Sequence, residues 1–290
     1  MGEDCDRCQF EWRVRGQSKV RWRMNDEFSR RNLHGYEASK KSISEVEGKF
    51  DNGKIVISPA LLSMLRSDHL NVAIYEYFFR GDELSLKSNL YSASELTKSI
   101  LKIEGRDAFS TDIEIFCALM SDCDPIVADI CNFDDGDFSK NKNNPLLHQF
   151  VSHMYQLAIK SSWDELQFKI DKISKNGKKY WRNKVMNGGD FFSLLIAGDV
   201  RGLEKSILEK VSEKPLRPVV DGVLSVTATL EAKICWRHGI AVEFDNPLIP
   251  MDLLPIRPLP EYKNAYDFMF QKNRNEGGVA KILKMIGIHR

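Results

Sequence analysis

From Ser58 onward the apolar residues of this chain recur at intervals of three and four. Ser58-Pro59 offers an N-cap followed by proline at the first helical position. Leu61, Leu62, Leu65, Leu70, Val72, Ile74, Tyr77 and Phe78 then follow at broadly helical spacing. Leu84 to Ile103 repeats the pattern through Leu86, Leu90, Leu96, Ile100 and Leu101, and Ser110 to Met120 and Pro125 to Phe133 predict two shorter helices. Pro145 restarts a helix whose stripe runs through Leu146, Leu147, Phe150, Val151, Met154, Leu157 and Ala158. Ser162-Trp163-Asp164-Glu165 has the capping-box form before the next helix. Gly188-Gly189 separates two more helices, residues 190–199 (DFFSLLIAGD) close one and cap the next, and Val200 to Val211 is amphipathic. Pro215 and Pro218 interrupt the chain, and Ser225 opens the helix that carries Cys235, Trp236 and His238 up to Gly239. The expectation is a mainly α protein: an irregular layered array of antiparallel helical hairpins. No strict period of 33 to 47 residues marks it as a solenoid repeat.

Period-two alternation appears in three short places. Phe10, Trp12 and Val14 alternate with Glu11, Arg13 and Arg15, and beyond a Gly16-containing loop Val20, Trp22 and Met24 alternate with Arg21 and Arg23. This predicts a small β-hairpin near the N-terminus. Its basic face is either a charged edge that discourages strand aggregation or a contact for nucleic acid or a partner. Asp51-Asn52-Gly53 predicts a turn into a short strand, and Ile240 to Phe244 predicts a short extended segment. The chain therefore divides into an N-terminal segment, 1–57, packed on a helical domain, 58–290. The polar run 134–144 (DDGDFSKNKNN) is the expected internal joint.

Composition narrows the class. The 290 residues are 42% hydrophobic and 29% charged, enough for a large core beneath a charged surface. No run approaches the roughly eighteen apolar residues of a membrane helix, and the acidic start MGEDCDRCQF lacks the apolar stretch of a secretory signal. A cytoplasmic protein without a membrane contact is expected. In a reducing compartment the six cysteines are expected as thiols, and Cys5-x-x-Cys8, a lone doublet, falls short of the four ligands of a structural zinc site. Net charge is +1, but its distribution is uneven. Glu104 to Asp137 holds ten acids against one base, Arg106, whereas Lys172 to Lys184 is a basic segment. The acidic third would repel nucleic acid and attract a basic protein, so a protein partner and no nucleic acid are expected.

Candidate chemistry is sparse. The phosphate-binding glycine loops, the HExxH zinc motif and the GxSxG nucleophile elbow are absent from the sequence. His148 and His153 stand about 140° apart on a helix and do not share a face. The loop at Asp134, Asp135 and Asp137 fails the calcium-loop spacing, since Lys140 would occupy the glycine position. No metal and no cofactor are expected. Cys235 and His238, three apart, could form a thiolate–imidazole nucleophile. They sit, however, at a helix C-terminus, the wrong end of the dipole for a reactive thiol. There Arg237 and His238 would complement the negative helix end, and Gly239 fits the left-handed position that closes it.

The order of motifs in the C-terminal half resembles a known family. It comprises the Asp190 to Asp199 junction, an amphipathic helix, Ser225 with its helix, and Trp236 with His238-Gly239. The Ile240 to Phe244 segment, Asn246-Pro247-Leu248-Ile249-Pro250, Leu253-Leu254-Pro255 and Leu259-Pro260-x-Tyr262 complete it. Over about residues 145–272 it resembles the bacterial immunity protein 49 family. The resemblance implies a cytoplasmic antidote of a polymorphic toxin system, of the kind delivered by type VI or contact-dependent secretion and by Rhs-type toxins. Such a protein binds a cognate toxin domain and occludes its active site, without a cofactor or catalytic residue. A toxin with a basic cleft would dock on the acidic segment through Asp107, Asp112, Glu114, Asp122, Asp124, Asp129, Asp134, Asp135 and Asp137. Phe138, with Phe109, Phe116 and Phe133, would serve as aromatic anchors. Two other classes stay open: a helical enzyme using Cys235 and His238, and a helical scaffold or nucleic-acid-binding regulator using the basic N-terminal hairpin.

Overall fold

The computed structural model describes residues 26–51, 57–104, 112–211 and 222–266. These form twelve α-helices and no strand. In chain order they are α1 (Asp26–Asp51), α2 (Pro59–Arg80), α3 (Glu83–Glu104), α4 (Ile113–Ser121), α5 (Asp124–Cys131) and α6 (Gly136–Asn141). Then come α7 (His148–Ile159), α8 (Trp163–Asn176), α9 (Lys179–Met186), α10 (Phe191–Ala197), α11 (Val200–Lys210) and α12 (Val226–Arg237). A single 3-10 turn, Met251–Leu253, lies in the C-terminal strap. The predicted hairpin at 10–24, Cys5 and Cys8, and Asp107 and Phe109 all lie outside the described residues.

Local signals act as the sequence leads one to expect at several helix ends. Ser58 is extended and accepts the Leu61 N–H at 3.2 Å, with Pro59 opening α2. Asp190 accepts from Phe192 and Ser193 N–H, both at 3.1 Å, and Asp199 accepts from Gly202 N–H at 3.0 Å. Gly198 between them takes the left-handed conformation, φ 65°. The capping box at Ser162 does not form, because the Ser162 backbone belongs to the end of the preceding helix. Its N–H closes α7 on the Leu157 carbonyl at 2.9 Å, beside Ser161 at φ 58°.

Two expectations are corrected. Residues 26–51 form a helix rather than part of a strand-bearing segment. α1 packs on α2, with Ser39 Oγ donating to Asp68 at 2.8 Å and Val46 buried beside Leu62, Leu65, Leu96 and Tyr266. The run 134–144 is no joint. Phe138 of α6 is buried, Lys142 pairs with Asp134, and the buried amine of Lys169 on α8 donates to the Lys142 carbonyl at 2.6 Å. One hydrophobic core takes side chains from both sides of it, from Leu70 to Leu254. Residues 240–244, expected as a short extended segment, are neither helix nor strand. Val242 and Phe244 face inward and Ala241 and Glu243 outward, so the alternation is real. The Val242 N–H turns back on the Ile240 carbonyl at 3.1 Å, and among the described residues no strand pairs with the segment.

At the centre stand α4, buried along its whole length, and α12, buried from Ala228 to Cys235. They pack on each other, and α3 and α5 flank α4. Among the described residues no helix is long and apolar enough to cross a membrane.

Candidate functional site

The acidic segment folds into two populations of carboxylates. Asp112, Glu114 and Asp122 are buried, and so is Phe138. These four cannot meet a partner, which corrects the expectation of a continuous acidic docking face. Asp112 accepts from Thr227 at 3.1 Å and lies 3.5 Å from His148 Nε2, and Glu114 pairs with Arg66 at 3.3 Å. The anchor candidate Phe116 is buried as well, and Phe133 is partly buried against the core.

Asp122 forms the most elaborate buried polar site. It terminates α4 in the left-handed conformation, φ 57°. Its two oxygens face two buried ammonium groups, Lys233 of α12 at 2.7 Å and Lys87 of α3 at 3.0 Å. Lys233 also donates to the carbonyls of Leu253 and Pro255 at 2.8 and 3.1 Å. Lys87 also meets Glu83 at 2.8 Å and the Arg257 carbonyl at 2.7 Å, while Arg257 N–H donates to Asp122 at 3.1 Å. Nearby, Tyr262 OH donates to the Ser121 carbonyl at 2.7 Å. Burial pushes the Lys233 amine down to about 8, against the opposing attraction of Asp122. The chemistry is that of a clasp: three helix-borne charges hold the strap 251–262 to the end of α4.

Of the remaining acids, Asp124 and Asp129 on α5 and Asp134 and Asp135 before α6 are exposed, and Asp137 on α6 is half-buried. Asp124 pairs with Arg237 at 2.6 Å, Asp129 with Lys98 at 3.0 Å, Asp137 with Lys140 at 3.2 Å, and Asp134 with Lys142. Asp135 caps α6 by accepting from Gly136 N–H at 2.6 Å. In three of the pairs the carboxylate is the outer partner; for Asp124 and Arg237 the side chains are 74% and 17% exposed. The cation lies beneath and the oxygen faces solvent.

Cys235 and His238 do not form a reactive pair. Cys235 is fully buried in the core, and burial drives its thiol well above the ordinary range. His238 Nε2 donates to the Ala158 carbonyl at 2.8 Å, tying α12 to the end of α7, and burial lowers its pKa. Arg237 likewise reaches across to Asp124 rather than to its own helix end. Gly239 does close the helix, φ 73°, with Ile240 N–H on the Cys235 carbonyl at 2.9 Å. Trp236 Nε1 fixes the return by donating to the Val242 carbonyl at 3.1 Å, and Ile249, Leu253 and Leu254 are buried. Cys117, Cys123 and Cys131 are also buried. Among the described residues no group of three potential metal ligands comes together.

No family model, no curated protein and no solved structure matches this chain.

Proposed function

We propose that this chain is an immunity protein: a helical antidote that neutralises a cognate secreted antibacterial toxin by binding it and covering its active site. The observation that carries the reading is the outward carboxylate row on α5 and α6, Asp124, Asp129, Asp134, Asp135 and Asp137. At Asp124, Asp129 and Asp134 an arginine or lysine approaching from a basic cleft meets the carboxylate before the cation behind it, which favours rapid, oriented association. The helical body, taken as a layered array of antiparallel hairpins, is the rigid support for that edge. The resemblance of residues 145–272 to the immunity protein 49 family supplies the class of partner. The burial of Cys235 weighs against the thiol-enzyme alternative.

The test begins with the reading frame beside this one. A secreted-toxin domain encoded there should stop arresting growth when co-expressed with this chain, and the two should co-purify. Growth arrest in the presence of soluble chain would overturn the reading. Replacing Asp124, Asp129, Asp134 and Asp137 together by lysine should slow association about tenfold or more and flatten its salt dependence. Stopped-flow binding across a salt series measures both, and unchanged kinetics would remove α5 and α6 from the interface.

A further inference from the structure

The basic segment that balances the acidic third folds into one corner, the α8–α9 turn. Six cations and no acid occupy 172–184. Lys184 is neutralised by Glu209 at 2.8 Å. Among the described residues no carboxylate lies within ion-pair distance of Lys172, Lys175, Lys178, Lys179 or Arg182, whereas Lys98, Lys140, Lys142 and Arg237 are each paired. Folding does not account for the arrangement. Lys178 is the N-cap of α9, Lys179 its first residue and Arg182 lies in its first turn, with no acid and no side-chain cap there. Cations at the positive end of a helix are unfavourable. The turn is held close by Gly177, where a Cβ would lie 2.8 Å from the Ile173 carbonyl oxygen and Cγ2.

An aromatic ring stands within this charge. Tyr180 is 66% exposed, with Lys184 Nζ 5.6 Å from its centroid. Phe168 is as exposed, but Glu165 and Asp171, three residues to either side on its helix, mark the acidic border of the surface. Lysine is depleted from protein–protein interfaces, and interfaces with nucleic acid are strongly positive. Cations tracking a backbone beside an exposed ring that stacks on an unpaired base is the design of single-strand binders. We propose that the α8–α9 corner binds single-stranded nucleic acid. Lys175, Lys178, Lys179 and Arg182 contact phosphates, and Tyr180 stacks on a base. The surface is distinct from the α5–α6 edge and does not rest on the antidote reading.

Fluorescence anisotropy with a labelled oligouridine of about 20 nucleotides tests it. The intact chain should bind at micromolar concentration in about 50 mM salt, and four phosphate contacts set a log–log salt slope of about −3. The triple variant Lys175→Glu, Lys178→Glu, Lys179→Glu should lose at least about tenfold in affinity and flatten the slope. Tyr180→Ala should lose about tenfold with the slope kept. These side chains are exposed, so unchanged circular dichroism is expected of every variant. Four results would each overturn the proposal: no binding by the intact chain, full affinity in the triple variant, no effect of Tyr180→Ala, or tighter binding to a duplex or to phosphatidylglycerol vesicles than to the single strand.

Discussion

At Asp122 one carboxylate serves two ammonium groups, and removing its charge leaves Lys233 buried without a counter-ion and Lys87 with Glu83 alone. Asp122→Asn should therefore destabilise by about 3–5 kcal/mol in urea unfolding. Lys233→Met, which leaves the Lys87–Asp122 pair in place, should cost less. The reverse order would show that Lys233, not Asp122, organises the clasp. His153 on α7 gives a pH-dependent counterpart. It is buried, its Nδ1 has no hydrogen-bond partner among the described residues, and burial together with Lys169, Lys142 and Lys160 pushes its pKa down to about 3. The folded value lies below the unfolded one, so between about pH 6.5 and pH 3 the unfolded chain binds more protons. Stability is full above that window and is lost as pH falls through it, by up to about 1.4 kcal/mol per pH unit. His153→Gln should flatten this part of the profile in denaturation followed by circular dichroism. Neither role was legible from charge alone. The fate of Asp122 had a signal in its surroundings, since Met120, Cys123, Ile126 and Val127 are all apolar and all buried. Asp134, Asp135 and Asp137, which are not buried, lie instead in the predominantly polar run 134–144.

Among elements, the α10–α11 junction shows how tightly local sequence and packing are coupled. Gly202 is helical, where alanine would ordinarily stabilise. Here an added Cβ would lie 2.5 Å from Asp199 Oδ2 and from Leu194 Cδ2, against the cap of the same helix. Gly202→Ala should thus lower stability by about 1–3 kcal/mol, read as a reduced melting temperature. A rise would mean the cap relaxes freely. Helices with a strong apolar stripe and a capping residue, such as α2 and α11, were legible. α1 was not, because its inward stripe mixes Tyr36 and Val46 with Ser39, whose hydroxyl is matched by Asp68 and Asn71 on α2. The polar run at 134–144 concealed a helix for a related reason: one buried phenylalanine and two lysine contacts fix it, and neither leaves a periodic trace.

For the molecule as a whole, a net charge of +1 conceals two opposed surfaces, an α5–α6 edge with carboxylates outermost and an α8–α9 corner with uncompensated cations. The strap that crosses α3, α4 and α12 has a different organisation. Five of the ten prolines of the chain fall within 247–260, so regular backbone pairing is denied there. Two lysines and an aspartate, contributed by segments as far as 170 residues away, stand in for a neighbouring strand. The Arg257 amide hydrogen is consequently covered by a carboxylate that reaches its place only when all three helices are assembled. Its exchange with deuterium should be slow in the native protein and should accelerate to the rate of an open coil in Asp122→Asn, making that one amide a clock for closure of the core.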